Sequence, residues 1–130
     1  MDTNTLILLP QLQDASALPR EPMISTITLA ELSVGPLVAR TEAERAARQA
    51  HLQQAEADFE PLPFDAAAAR AFGQVAASLR RAGRKPAARS YDVMIAAVAI
   101  ANDLPLYTCN PNDFGAIERL QVIDVPHPDA

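Results

Sequence analysis

Asp2, Glu31, Asp92 and Asp113 are the residues whose type and setting could do chemistry, because each stands at an element boundary or beside an apolar run. Asp92 is the clearest. It opens Val93-Met94-Ile95-Ala96-Ala97-Val98-Ala99-Ile100-Ala101, a segment apolar on every face, so a helix there must be buried all round and its carboxylate stands at the mouth of the core. Glu31 lies inside Leu29-Ala30-Glu31-Leu32. If these side chains converge, each pair about 5 Å apart repels by roughly 3 kcal/mol at an effective dielectric of about 20. A fold holds such a set together when something neutralises it. For an all-oxygen site without thiolates or paired imidazoles, that is a hard divalent cation, Mg2+ or Mn2+, which brings Lewis-acid and water-activating chemistry. Taken singly, each acid has a plainer reading. Asp92 can complement its helix dipole, a stabilisation of about 0.3–1 kcal/mol. Asp113 can form an Asx-turn or cap a short helix at Phe114. Glu31 can pair with an arginine, and Asp2 can belong to a frayed terminus. Their joint occurrence carries the metal reading.

The elements that must position these carboxylates are short. Leu6 to Leu12 reads as a loop or first helix interrupted near Pro10. Met23-Ile24-Ser25 reads as a brief buried strand, and Ser25 or Thr26 as the cap of a helix carrying Leu29, Glu31, Leu32 and Val34 until Gly35-Pro36 disturbs it. Thr41-Glu42-Ala43-Glu44 matches a capping box and starts a charged helix to about Asp58. Phe59 to Phe64 is a second strand-like piece. Asp65 then caps an Ala-rich helix with Phe72, Val75, Ala76 and Leu79 on one face. Ser90 caps the buried helix and Asn102-Asp103 stops it. Leu104 to Thr108 is a strand leading into a polar turn, and Val122 to Val125 a last strand. Helices alternating with short apolar strands imply an α/β fold with a parallel sheet covered on both faces. Ligands gather beyond the carboxyl ends of such strands, where Asp113 and Asp2 fall.

At 130 residues, with 49% hydrophobic and 21% charged, the chain reads as one globular domain spanning 1–130. A single cysteine, Cys109, excludes an intrachain disulfide. There is no leader-like start and no run of eighteen apolar residues, so the expected place is the reducing cytoplasm, off the membrane. Cys109 reads as a small buried hydrophobe. A net charge of −5 argues against bulk attraction to nucleic acid. Locally the balance reverses: Arg80, Arg81, Arg84, Lys85 and Arg89 are five of the eleven basic residues and lead directly into Ser90-Tyr91-Asp92. That stretch could grip a polyanion beside the acids, or be a solvated loop broken by Gly83 and Pro86. His51, on a polar helix, and His127, in the tail, are given no catalytic part.

In order, Asp2-Thr3-Asn4, Ile27-Thr28-Leu29-Ala30-Glu31-Leu32, Tyr91-Asp92-Val93-Met94-Ile95-Ala96-Ala97 and Thr108-Cys109-Asn110-Pro111-Asn112-Asp113-Phe114 span nearly the whole chain. Together they resemble the motifs of PIN-domain ribonucleases of the VapC toxin type. The resemblance implies a three-layer α/β/α sandwich with a short central parallel sheet. It implies an acidic quartet that holds Mg2+ or Mn2+ and hydrolyses RNA, an antitoxin of the VapB kind, and a homodimer. Carried over by motif, Asp2 and Asp92 are the metal ligands, with Glu31 and Asp113 completing the pocket. Asn4, Thr108 and Asn110 then orient the carboxylates by hydrogen bonds. Asn110 stands where many relatives have another Asp. Relatives also carry an apolar strand before the first Asp, whereas only Met1 precedes Asp2 here, so a start codon upstream is expected.

Two other classes use the same carboxylates. A Mg2+-dependent phosphatase or phosphotransfer domain also gathers aspartates at strand ends, but it calls for a lysine in the site, and Lys85 is the only lysine. A noncatalytic RNA- or protein-binding domain would keep the pocket without the reaction.

Overall fold

Helix α1 (Thr3–Leu8) begins one residue after Asp2 and passes into a 3-10 turn at Leu9–Gln11 containing Pro10. The architecture was obtained as a computed structural model, which describes residues 1–12, 15–84 and 90–129. Lys85 and Arg89, two of the basic residues singled out above, lie outside them. Helix α2 (Thr26–Leu37) follows Ser25 and continues through Gly35-Pro36 rather than breaking there. Pro36 falls in the last turn, and Arg48 from the next helix donates to the Gly35 carbonyl at 2.9 Å. Helix α3 (Glu42–Asp58) makes the first half of its capping box, Thr41 Oγ1 accepting from Glu44 N at 3.1 Å, while Glu44 Oε2 reaches one residue beyond the cap and accepts from Arg40 N at 2.9 Å.

Asp65 caps α4 (Ala66–Arg81) by accepting from Ala68 N at 3.0 Å. The buried face of α4 is Ala68, Ala71, Val75 and Leu79, at the 3- and 4-residue steps of a helix stripe, while Phe72 and Ala76 lie at its margin. In α5 (Ser90–Ala101) burial extends unbroken from Ile95 to Ala99, in keeping with a helix apolar on all sides. Ser90 is its first helical residue rather than its cap.

Both helices end in the same hydrogen-bonded stop. After α4, Gly83 N donates to Arg80 O at 3.0 Å and Arg84 N to Leu79 O at 2.8 Å, with Gly83 at φ +76°. After α5, Asp103 N donates to Ile100 O at 3.1 Å and Leu104 N to Ala99 O at 2.9 Å, with Asp103 at φ +53°. These are Schellman motifs, which need a left-handed residue just past the helix. Space around Gly83 is open, so its replacement acts through backbone conformation alone. Gly83→Ala is expected to lower stability by about 1–2 kcal/mol. Urea unfolding with unchanged slope checks this; an unmoved midpoint would contradict it.

Strands β1 (Leu106–Thr108) and β2 (Val122–Asp124) pair in parallel, Leu106 with Val122 and Thr108 with Asp124. The two segments expected as strands at Met23–Ser25 and Phe59–Phe64 reduce to one parallel bridge, Ser25 to Leu62. Pro22, Pro61 and Pro63 flank it, and proline cannot donate to a ladder. Alternation along β1 divides the core. Leu106 joins a cluster with α4 and α5 that includes Val75, Val93 and Phe114. Tyr107 faces the opposite way, onto a cluster of Leu6, Ile24, Leu32 and Ala55 from the α1 to α3 side. Helices therefore cover both faces of the short sheet. Among the described residues no helix is long and apolar enough to cross a membrane.

Candidate active site

The chain turns back between α5 and β1 in the few residues from Asn102 to Pro105, so the start of α5 and the end of β1 lie at the same edge of the fold. Asp92 occupies the first turn of α5, half-buried. Asp113 lies in the 3-10 turn Pro111–Asp113 just beyond β1, also half-buried. Asp2, only 3% exposed, is brought to the same edge by Thr5: this hydroxyl donates to Asp2 Oδ1 and accepts from Cys109 N at 3.0 Å, the first amide after β1. One threonine thus ties the N-cap of α1 to the end of the sheet.

Glu31 enters the site through a neighbouring hydroxyl. Thr3 Oγ1 donates to Glu31 Oε1 at 2.6 Å and stands 3.2 Å from Thr28 Oγ1, with Thr28 fully buried. A hydroxyl has one proton, so with Thr3 committed to Glu31 the contact between the threonines draws on the proton of Thr28. Glu31 and Asp2 are therefore held from the same first turn of α1, by Thr3 and Thr5. Among the described residues no basic side chain forms a salt bridge with either.

Thr3, Thr5 and Thr28 were not singled out from the sequence, where the orienting role went to Asn4. Asn4 is exposed on the outer side of α1 and does not share in this network. The available signal was the alternation Thr3-Asn4-Thr5 in a first helical turn otherwise made of leucine and isoleucine. Thr108 is buried but serves the turn instead of a carboxylate: its Oγ1 accepts from Asn110 N at 3.0 Å. Asn110 in turn accepts from Asp113 N through its carbonyl at 3.1 Å, so the pair sets the course of the segment carrying Asp113.

A further acid, Asp124, ends β2 opposite Thr108. Burial pushes the Cys109 thiol up from its ordinary range, and the charges of Asp2 and Asp124 add to this against the hydrogen bond to Thr5. Cys109 is thereby kept as a protonated, buried group rather than a nucleophile. The basic residues Arg80, Arg81 and Arg84 are exposed at the end of α4, which packs against α5.

The close four-carboxylate cage that mutual repulsion suggested is not what the chain builds. Among the described residues no three His, Cys, Asp or Glu side chains stand close enough to hold a metal ion as a group. Threonine hydroxyls, rather than neighbouring carboxylates, engage Asp2 and Glu31.

A family profile described as PIN domain matches residues 2–120. Ribonuclease VapC5 of Mycobacterium tuberculosis is 38% identical over 112 residues, covering 86% of this chain and 80% of that protein. The crystal structure of VapBC-5, a member of the VapBC family of toxin-antitoxin systems from M. tuberculosis, matches with a TM-score of 0.81 at 38% identity over 95% of each chain. VapBC2 from Rickettsia felis, solved bound to a DNA fragment from their promoter, matches with a TM-score of 0.66 at 27% identity, covering 78% of this chain and 73% of that one.

Proposed function

The chain belongs to the PIN-domain family, and from that membership we propose that it is a VapC-type ribonuclease, the toxin of a toxin-antitoxin pair, working as one domain in the cytoplasm. It is a metal-dependent nuclease homologue, and Mg2+ is the ion we assign, with Mn2+ as substitute. The observation that carries the reading is Asp2: a carboxylate 3% exposed, tethered at the carboxyl end of the sheet, with no basic side chain salt-bridged to it among the described residues. Burying a carboxylate costs several kcal/mol on the order of magnitude of measured effective penalties. A site that retains it is built to receive a cation.

Asp2 and Asp92 would hold the ion, with Glu31 and Asp113 completing the pocket through water. The chemistry such an ion supplies is water activation and neutralisation of charge on the phosphoryl oxygens. Thr5 fixes one oxygen of Asp2 and leaves the other for ligation. Thr3 engages Glu31 Oε1, so Glu31 Oε2 would be the oxygen left to accept a proton from an attacking water. Arg80, Arg81 and Arg84 would receive flanking phosphates, together with Lys85 and Arg89 beyond the described segment. The antitoxin is the partner that holds this activity in check, as the toxin-antitoxin complexes among the solved relatives suggest.

Thr5→Val keeps the side-chain shape and removes both hydrogen bonds. It strands the Cys109 amide and frees Asp2, so stability is expected to fall by about 1–3 kcal/mol and cleavage by about 10–100-fold. Thermal unfolding and cleavage rates at matched folded fraction check this. Full activity in the folded variant would remove Thr5 from the site.

The function itself is tested with end-labelled RNA and DNA oligonucleotides of matched sequence, in Mg2+ and in chelator. RNA cleavage confined to Mg2+ or Mn2+ supports the reading. Cleavage undiminished in chelator, or binding of RNA without cleavage in either ion, would contradict it.

A further inference from the structure

Tyr91 carries an aromatic ring into solvent one residue before Asp92, and nothing in the site assembled above uses it. Single exposed apolar side chains are ordinary on a folded surface. An exposed aromatic is not ordinary in this chain. Of its four phenylalanines and two tyrosines, Tyr91 is the one that is exposed, at 50%. The other rings have work in the interior: Phe114 and Phe72 pack with α4 and α5, Phe64 meets Phe72 edge to face, and Phe59 and Tyr107 pack on the opposite cluster. Tyr91 joins neither cluster and, among the described residues, no ring pair. Core packing therefore does not account for it. Its place on the helix does suggest a use. Tyr91 and Asp92 are the second and third residues of α5, with Cα atoms about 3.8 Å apart. Helical side chains lean toward the N-terminus, so this ring extends toward the end of α5 at which Asp92 stands. Successive helical residues do not face each other, which sets the ring to one side of the carboxylate.

We propose that Tyr91 is a base-stacking residue: its ring receives the face of one unpaired base of bound RNA, from a nucleotide next to the phosphate acted on beside Asp92. The proposal takes its ligand from the ribonuclease reading and adds to it the residue that positions the nucleotide. Proteins that bind unpaired nucleic acid combine aromatic faces for the bases with basic side chains for the backbone. Both halves stand on adjoining elements here, Tyr91 at the start of α5 and Arg80, Arg81 and Arg84 at the end of α4, which packs against it. An uncharged ring also suits this edge. Carboxylates repel a phosphate backbone, whereas stacking attracts the base without regard to their charge and is not screened by salt. Every base has a π-face, so the stack carries no sequence code by itself; it fixes where the chain lies relative to Asp92.

A short RNA oligonucleotide, and a set in which each base in turn is replaced by an abasic ribose, are titrated against the wild type, Tyr91→Ala and Tyr91→Phe. Stopped-flow fluorescence anisotropy in Mg2+ reads binding ahead of cleavage. Tyr91→Ala is expected to weaken binding of the intact oligonucleotide by about 10- to 100-fold, the contribution of one base stacked on an aromatic ring. Tyr91→Phe keeps the ring face and should bind as the wild type does. The loss should vanish when one particular base is missing, since a coupled pair shows no second penalty once either member is gone. It should also be equal at low and high salt, unlike the loss of an arginine. Mapping the cut should put that base beside the cleaved bond. Undiminished RNA binding by folded Tyr91→Ala, or a loss that is the same on every abasic oligonucleotide, would overturn the proposal; weakened antitoxin binding in the first case would give the ring to the protein partner. A wild type that shows the coupling but never cleaves would strike the ribonuclease reading and leave the stack standing, whereas one that binds no RNA would overturn both.

Discussion

Asp2→Asn is expected to lower RNA cleavage by about 100-fold or more, the scale seen when one preorganised electrostatic group is removed from a reaction centre. The change is isosteric, and Asp2 makes no side-chain capping hydrogen bond to α1, so the helix should keep its start. The amide oxygen can still accept from Thr5. What disappears is the negative charge, in a place where the ligand set is carboxylate oxygen and the carboxylate is almost wholly buried. Removing a buried charge also removes its desolvation cost, so stability is expected to hold or rise slightly. Cleavage rates in saturating Mg2+ beside urea unfolding separate the two effects. Wild-type rates in a folded Asp2→Asn protein would show that Asp2 is a structural residue, and a collapse of stability would show that its charge is paired within the fold.

Phe114→Ala is expected to be the most damaging single truncation, costing about 3–5 kcal/mol. Phe114 is 1% exposed, the largest of the fully buried side chains, and belongs to the cluster that joins α4, α5 and β1. It also follows Asp113 directly, so its ring anchors the turn that carries that acid. Against a typical total stability of about 5–15 kcal/mol, the loss takes a large share of the folded population at physiological temperature. Phe114→Leu keeps most of the volume and should cost less than half as much, with cleavage retained. Equal stability of the wild-type and Ala proteins would mean that the cluster does not couple the turn to the core.

How far the sequence disclosed this arrangement depended on the kind of signal each element carried. The helices were legible because periodicity and caps are local: Thr41 and Asp65 bond where their spacing said they would, and Asn102-Asp103 ends α5 through a left-handed Asp103. The strands were legible only as apolar runs. Whether Met23–Ser25 and Phe59–Phe64 become a ladder depends on what lies beside them, and the chain makes a single bridge there. Proline at Pro36 also misled: α2 runs on to Leu37 even though Pro36 has no N–H to give the carbonyl four residues back.

In the site, the acids could be named from their settings, but not what holds them. Thr3, Thr5 and Thr28 look like ordinary polar residues in sequence, and their role exists only once α1, α2 and the end of β1 are packed together. Asn4 was the more conspicuous residue, yet the helix turns it to solvent. Asp124 was not singled out, because its place opposite Thr108 comes from strand register. The hydroxyls that engage Asp2 and Glu31 come into view only in three dimensions.

The central claim is that these carboxylates bind a divalent cation, and titration with Mn2+ followed by electron paramagnetic resonance tests it most directly. Loss of the free-ion signal on adding wild-type protein, with that loss largely abolished in both Asp2→Asn and Asp92→Asn, is the expected result. Mn2+ binding of equal strength in the wild type and both variants, or none in the wild type, would contradict it.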